Sequence, residues 1–168
     1  MRTLYLLRHA KSSWDDAGLA DRDRPLAPRG QRAAKAIAKH LGSEDISPAL
    51  VLCSAARRTR ETLDAIAPAL DADTTVEVER DLYGASAGEL LERVHAIPDD
   101  VSSAMLIGHN PSIQTLALNL AGRGAELDAV ALKYPTGALA TLTFDGSWQD
   151  LNQGGAELAA FVRPRDLD

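Results

Sequence analysis

Three short stretches of this chain, residues 4–7, 50–53 and 104–107, are apolar at every position rather than at alternate ones. A strand with one wet face alternates, whereas a strand covered on both faces does not, and such strands belong to parallel sheets layered between helices. Each run leads through a polar turn into a segment with apolar residues at helical spacing. The faces are Ala34, Ile37, Ala38 and Leu41, then Leu63, Ile66, Ala67 and Leu70, then Ile113, Leu116, Ala117 and Leu120. A further helix is predicted over 87–97, where Leu90, Leu91, Val94 and Ile97 share a side. Pro28 suits a first turn and Gly42 a C-terminal stop, while Asn110 and Pro111 read as cap and first residue. Residues 138–144 and 156–162 predict an antiparallel pair at one sheet edge, joined by a loop too long for a tight hairpin. Residues 15–24 are charged and aperiodic, a surface loop. The fold class expected is α/β, three layers α/β/α around a mostly parallel sheet.

Composition narrows what such a fold can do. With 168 residues, 45% hydrophobic and only 4% aromatic, the chain suits one domain, 1–168, with an aliphatic core. A formal charge of −6 leaves no basic stripe for a nucleic-acid backbone, so the arginines that matter must act locally. Cys53 is the only cysteine, which excludes an internal disulfide and a cysteine-rich zinc site and fits a reducing compartment. The apolar run before Arg8 is too short for a secretory core and no stretch approaches a membrane span, so a soluble, cytoplasmic protein with no membrane partner is expected.

In open α/β sheets, chemistry collects at the carboxyl ends of the strands. There this chain places Arg8 and His9 after the first run, Ser54, Arg57 and Arg58 after the second, and His109 after the third. Phosphoryl transfer asks for little beyond positioning and neutralisation of phosphate oxygens, and guanidinium forks do both. Arg8 and Arg58 form a natural clamp. A neutral imidazole whose other nitrogen is held by an acceptor can attack phosphorus in line, which makes His9 the candidate nucleophile. The helices opening after Ser54 and Asn110 would add backbone N–H groups, giving a phosphate site that needs no metal and no cofactor. Cys53 invites a rival reading as a cysteine phosphatase nucleophile. The sixth residue after it is Thr59 rather than arginine, however, and SAARR has no glycine to wrap a phosphate. His40 and His95 fall near helix ends and match no motif. Trp14 and Trp148 read as packing residues, and Ser12, Ser13, Asp15 and, more weakly, Thr136 as pocket-shaping residues.

RHA at 8–10, the run from Ser54 through Arg58 to Thr62, and GHN at 108–110 resemble the histidine phosphatase superfamily, with its phosphoglycerate mutase-like fold. RPLAPRG at 24–30, LYGAS at 82–86 and PTGALATL at 135–142 resemble more narrowly its SixA-type phosphohistidine phosphatases. The resemblance implies His9 as catalytic histidine, Arg8 and Arg58 as phosphate-binding arginines and His109 as the second histidine. Ser12 and Asp15 are the substrate-binding candidates. Ala10 stands where many members have glycine, which requires that the position not need a positive φ. The leaving-group acid of many members falls near Glu79 or Asp81, and the motif does not choose between them. A weak or absent acid favours a phosphoramidate, because imidazole leaves phosphorus more readily than an alkoxide does. The chain also lacks the insertions that cover larger members' sites.

The reading is therefore a phosphatase acting through a phosphohistidine on His9. Its leading substrate is protein phosphohistidine; the alternatives are a small phosphorylated metabolite or nucleotide and a phospho-ligand binding module without turnover. A near-reference imidazole pKa implies a rate that falls below about pH 6.

Overall fold

The computed structural model describes residues 1–167. Seven strands form one sheet: β1 (Arg2–Arg8), β2 (Leu50–Ser54), β3 (Thr75–Glu79), β4 (Ser103–Gly108), β5 (Ala121–Arg123), β6 (Leu139–Phe144) and β7 (Ala156–Val162), in the order β3-β2-β4-β1-β6-β7-β5. Five helices cover it: α1 (Pro28–Ser43), α2 (Arg57–Ile66), α3 (Ala87–His95), α4 (Ser112–Leu120) and α5 (Leu127–Leu132). Pairing is parallel except where β6 runs against β1 and β7.

The three apolar runs are the central strands, and their side chains alternate between two cores. Leu4, Leu6, Leu52 and Leu106 meet Leu90, Val94, Ile113 and Leu116 on one face, beneath α3 and α4. Leu7, Val51, Cys53, Met105 and Ile107 meet Ile37, Leu41, Leu63 and Ile66 on the other, beneath α1 and α2. Removing one such leucine from water contributes about 1.5–3 kcal/mol, so the paired faces hold β1, β2 and β4 in register. β1 aligns Leu7 with Ile107 and Arg8 with Gly108, while β2 aligns Cys53 with Ile107. The carboxyl ends of the three strands therefore meet at one edge.

Several elements differ from expectation, each for a local reason. The β6–β7 pair forms, but three-residue β5 lies outside it and takes the edge. β3 was not predicted: two of the five residues of TVEVE are charged, and Val76 and Val78 are left 45% and 48% exposed, so it carries little apolar signal. α4 begins at Ser112, with Pro111 rather than Asn110 in the cap position, although the Asn110 side chain still accepts the Gln114 N–H at 3.3 Å. α2 stops at Ile66 and a 3-10 turn over Ala67–Ala69 completes its predicted face. Trp148 packs in the core as expected, donating to the Val101 carbonyl at 2.7 Å. Trp14 does not: it is 72% exposed and carries the Arg24 guanidinium over its ring.

Candidate active site

β1 delivers Arg8 and His9 to the sheet edge, and the backbone beyond it is tied down on both sides. The His9 N–H donates to the Gly108 carbonyl at 3.0 Å, while the Gly137 N–H donates to the carbonyls of Arg8 and His9 at 3.1 and 2.9 Å. Gly137 reaches them from a turn with φ of 78°, a conformation that strains any other residue. Ala10 is fully buried, and its N–H donates to Thr62 Oγ1 at 3.0 Å. Asp45 is the only non-glycine with positive φ among the described residues, so alanine at position 10 is unstrained.

His9 is buried, and its Nδ1 lies 2.7 Å from the Ala10 carbonyl oxygen. A carbonyl only accepts, so Nδ1 carries the proton and Nε2 keeps its lone pair. His109 comes from the end of β4, its ring centroid 5.4 Å from that of His9. Its Nε2 lies 2.8 Å from Ser54 Oγ at the end of β2. Arg58, in the first turn of α2, is buried; its Nη1 donates to the Asp21 carbonyl at 2.8 Å and its Nη2 to Asp21 Oδ2 at 3.0 Å. Arg8 Nη1 donates to the Tyr134 carbonyl at 2.8 Å. Arg8, His9, Arg58 and His109 thus lie close together at the sheet edge.

Arg8 and Arg58 are the cations of the crevice, and its two imidazoles are neutral. Burial pushes the His9 imidazole down to about 3, opposed by its bond to Ala10 and reinforced by His109, Arg58 and Arg8. Burial likewise pushes His109 down to about 4, with Arg58 adding to it. The same two causes, desolvation and then Arg58, lower Arg8. Three buried side-chain nitrogens among the described residues have no hydrogen-bond partner, and two of them, Arg8 Nε and His109 Nδ1, belong to this crevice. An unmade bond of that kind is costly. Among the described residues no group of three or more His, Cys, Asp or Glu side chains is placed to hold a metal.

The other candidates are placed differently. Ser12 is buried and its Oγ accepts from Arg24 Nη2, so its hydroxyl is engaged by the protein. Asp15 is exposed, and its backbone N–H donates to Ser13 Oγ at 3.1 Å. Glu79 is gripped by Arg93 through Nε and Nη2 at 2.8 Å, and that bond lowers its pKa. Asp81 is exposed. Cys53 is buried and pushed up to about 12 by burial, which removes it as a thiolate nucleophile. His95 donates to the Leu151 carbonyl at 2.7 Å, a structural bond at the end of α3.

Asp21, Tyr83, Thr62 and Arg24 were not expected at the site. The surface loop expected beside the first motif folds back through a 3-10 turn over Asp21–Asp23, and Asp21 bonds Arg58, Arg24 and the Tyr83 hydroxyl, the last at 2.6 Å. Those bonds, Tyr83's first, hold the Asp21 carboxyl down to about 2. Tyr83 stacks edge-on to His109 with centroids 5.6 Å apart. Thr62 Oγ1 donates to the Arg58 carbonyl at 2.8 Å while accepting from Ala10, and so locks α2 to the turn after His9. Arg24 and Tyr83 lie inside the quoted RPLAPRG and LYGAS strings, a usable signal; Asp21 had none.

The profile of the histidine phosphatase superfamily, branch 1, matches residues 4–105. An uncharacterized protein of Mycobacterium tuberculosis is 37% identical over 163 residues, covering 95% of this chain and all of that protein. A candidate phosphohistidine phosphatase SixA from Nakamurella multipartitia has the same fold at a TM-score of 0.84 and 34% identity, over 97% of this chain and 96% of that one. A second, from Agrobacterium tumefaciens, superposes at 0.84 with 30% identity, over 97% of this chain and 98% of that one.

Proposed function

From the premise that the chain belongs to the histidine phosphatase superfamily, we propose that it hydrolyses phosphate from protein phosphohistidine through a covalent intermediate on His9. The observation that carries this is the bond from His9 Nδ1 to the Ala10 carbonyl, which leaves Nε2 as a neutral nucleophile beside two guanidinium groups, Arg8 and Arg58. Arg8, Arg58 and His109 hold the nonbridging oxygens. In the first step Nε2 forms a bond to phosphorus as the bond from phosphorus to the leaving nitrogen breaks, and the leaving imidazole takes a proton from solvent. The positive charge that develops on His9 is met at Nδ1–H by the Ala10 carbonyl. In the second step water adds to phosphorus, the bond to Nε2 breaks, and phosphate departs with His9 restored.

The choice of phosphoramidate over ester rests on the carboxylates. Asp21, the one bonded to Arg58, is held to about 2, and Glu79 is held ionised by Arg93, so neither stores a proton for an alkoxide at neutral pH. An imidazole leaving group needs that proton far less. A cytoplasmic setting is part of this reading, and no described helix is long and apolar enough to cross a membrane.

The test is rapid quench with histidine-phosphorylated protein beside phosphoserine, sugar phosphates and nucleotides. Acid-labile, alkali-stable phosphate should appear on the wild type and not on His9→Ala, with the highest kcat/KM on the phosphohistidine protein. Full turnover by His9→Ala would end the covalent reading, and a metabolite winning by kcat/KM would end the substrate assignment.

A further inference from the structure

Beside the His9 crevice lies a second cavity, of about 820 Å³, that shares one wall with it, the Arg8 side chain. That volume is far larger than a phosphoryl group requires, and its chemistry is unusual for this chain. Lys11, Arg29, Lys133, Arg163 and Arg165 line it together with Arg8, six of the 18 lysines and arginines of a protein whose formal charge is −6. They come from the loop after β1, the first turn of α1, the end of α5 and the segment after β7, so folding assembles the cluster from four separate segments. Asp166 is bonded to Arg163 at 3.0 Å and also feels Arg165, and Glu126 acts on Arg163. Among the described residues Lys11, Arg29, Lys133 and Arg165 make no ion pair.

Unneutralised cations gathered in a concave surface repel one another and cost stability unless a ligand supplies the opposite charge. The cavity is firmly joined to the catalytic strand: Pro164 on its wall packs against Gly137, where an added Cβ would come within 2.8 Å of Pro164 Cγ. The Gly137 N–H in turn bonds the carbonyls of Arg8 and His9. A group seated in the cavity is therefore held at a fixed offset from the nucleophile.

We propose that this cleft docks acidic side chains flanking the phosphohistidine of a protein substrate, an inference that rests on the function proposed above. A small-molecule pocket is mostly apolar, with a few placed polar groups. Here Lys11, Arg29, Lys133 and Arg165 are all exposed, and Leu132 stands 87% exposed beside them. Long flexible cations around an exposed leucine and a few smaller apolar residues suit the acidic, partly apolar surface of a protein and steer its approach.

The experiment uses two synthetic peptides with one central phosphohistidine, flanked in one by glutamates and in the other by lysines, together with free phosphohistidine. Binding of both peptides to His9→Ala, followed by fluorescence anisotropy, reads the cleft without turnover; hydrolysis of free phosphohistidine by the wild type reads the catalytic proposal separately. The glutamate peptide should bind about ten-fold more tightly, with a preference that shrinks as salt is raised. Adding Lys133→Glu and Arg165→Glu should erase it, while in the wild-type background the same pair leaves turnover of free phosphohistidine unchanged. Lys133→Gln with Arg165→Gln, which removes charge without reversing it, should give an intermediate preference. Equal binding of the two peptides, or a preference that survives the double reversal, would overturn the docking inference. Failure of the wild type to hydrolyse free phosphohistidine would instead strike the proposed function.

Discussion

The imidazole of His9 offers the sharpest test, because its environment reverses the pH dependence that its residue type suggests. A histidine at its reference pKa of about 6.5 is only about 3% neutral at pH 5, which would starve the reaction of nucleophile. His9 lies at about 3, chiefly because it is buried, so about 99% of it stays neutral at pH 5, a roughly 30-fold difference in competent enzyme. The acid limb of kcat/KM, corrected for the substrate's own ionisation, should therefore lie below pH 5 rather than near 6. The expectation of a decline below about pH 6 is corrected on this ground. The same shift acts on stability with a definite sign. Between about 3 and 6.5 the unfolded chain binds a proton at this imidazole that the folded chain refuses, so stability is full above 6.5 and lost as pH falls. From pH 7 to pH 5 the loss from His9 is about 2 kcal/mol, and His109, at about 4, adds a similar amount. Per folded molecule the protein should stay active at pH 5 while urea unfolds it more easily, and His9→Gln should remove about half of the pH-dependent loss. A kcat/KM that falls ten-fold per unit from pH 6.5 downwards, or a His9 titration near 6 by NMR, would refute the argument.

Three further substitutions probe the structure around this group. Asp21→Asn keeps the size of the Arg58 partner but removes its charge, so the fork should loosen and kcat/KM fall about ten-fold with little change in Tm; a gain in kcat/KM would show instead that Asp21 obstructs the anion. Gly30→Ala would drive a Cβ into the Lys11 carbonyl oxygen in the segment just after His9. It should cost more than about 2 kcal/mol by urea unfolding. Gly42→Ala, later in the same helix with no atom within 4 Å of its Cβ, should stabilise by about 0.5–1 kcal/mol. Equal effects of the two alanines would sink the claim that α1 is pressed against the loop after His9.

What could be read from the chain alone follows a physical division. The central strands announced themselves because burial on both faces demands unbroken apolar runs, and Arg8, His9 and His109 followed because those runs end beside them. Ser54 and Arg58 were legible for the same reason. β3 escaped notice because an edge strand can be as polar as TVEVE, and Asp21 because a lone aspartate in a charged loop has no period to betray it. The pH error had the same origin: a reference pKa belongs to the side chain, but its displacement belongs to the neighbours that fold over it. Groups that supply charge are thus tied to strand ends and repeat with them, whereas groups that tune charge arrive from loops whose path is set only by tertiary contact. Asp21 holds Arg58, Arg24 and Tyr83 at once, across separations of up to 62 residues. For a crevice of this kind, a loop with no pattern beside a strand-end cation is accordingly the first place to look for the residue that positions it.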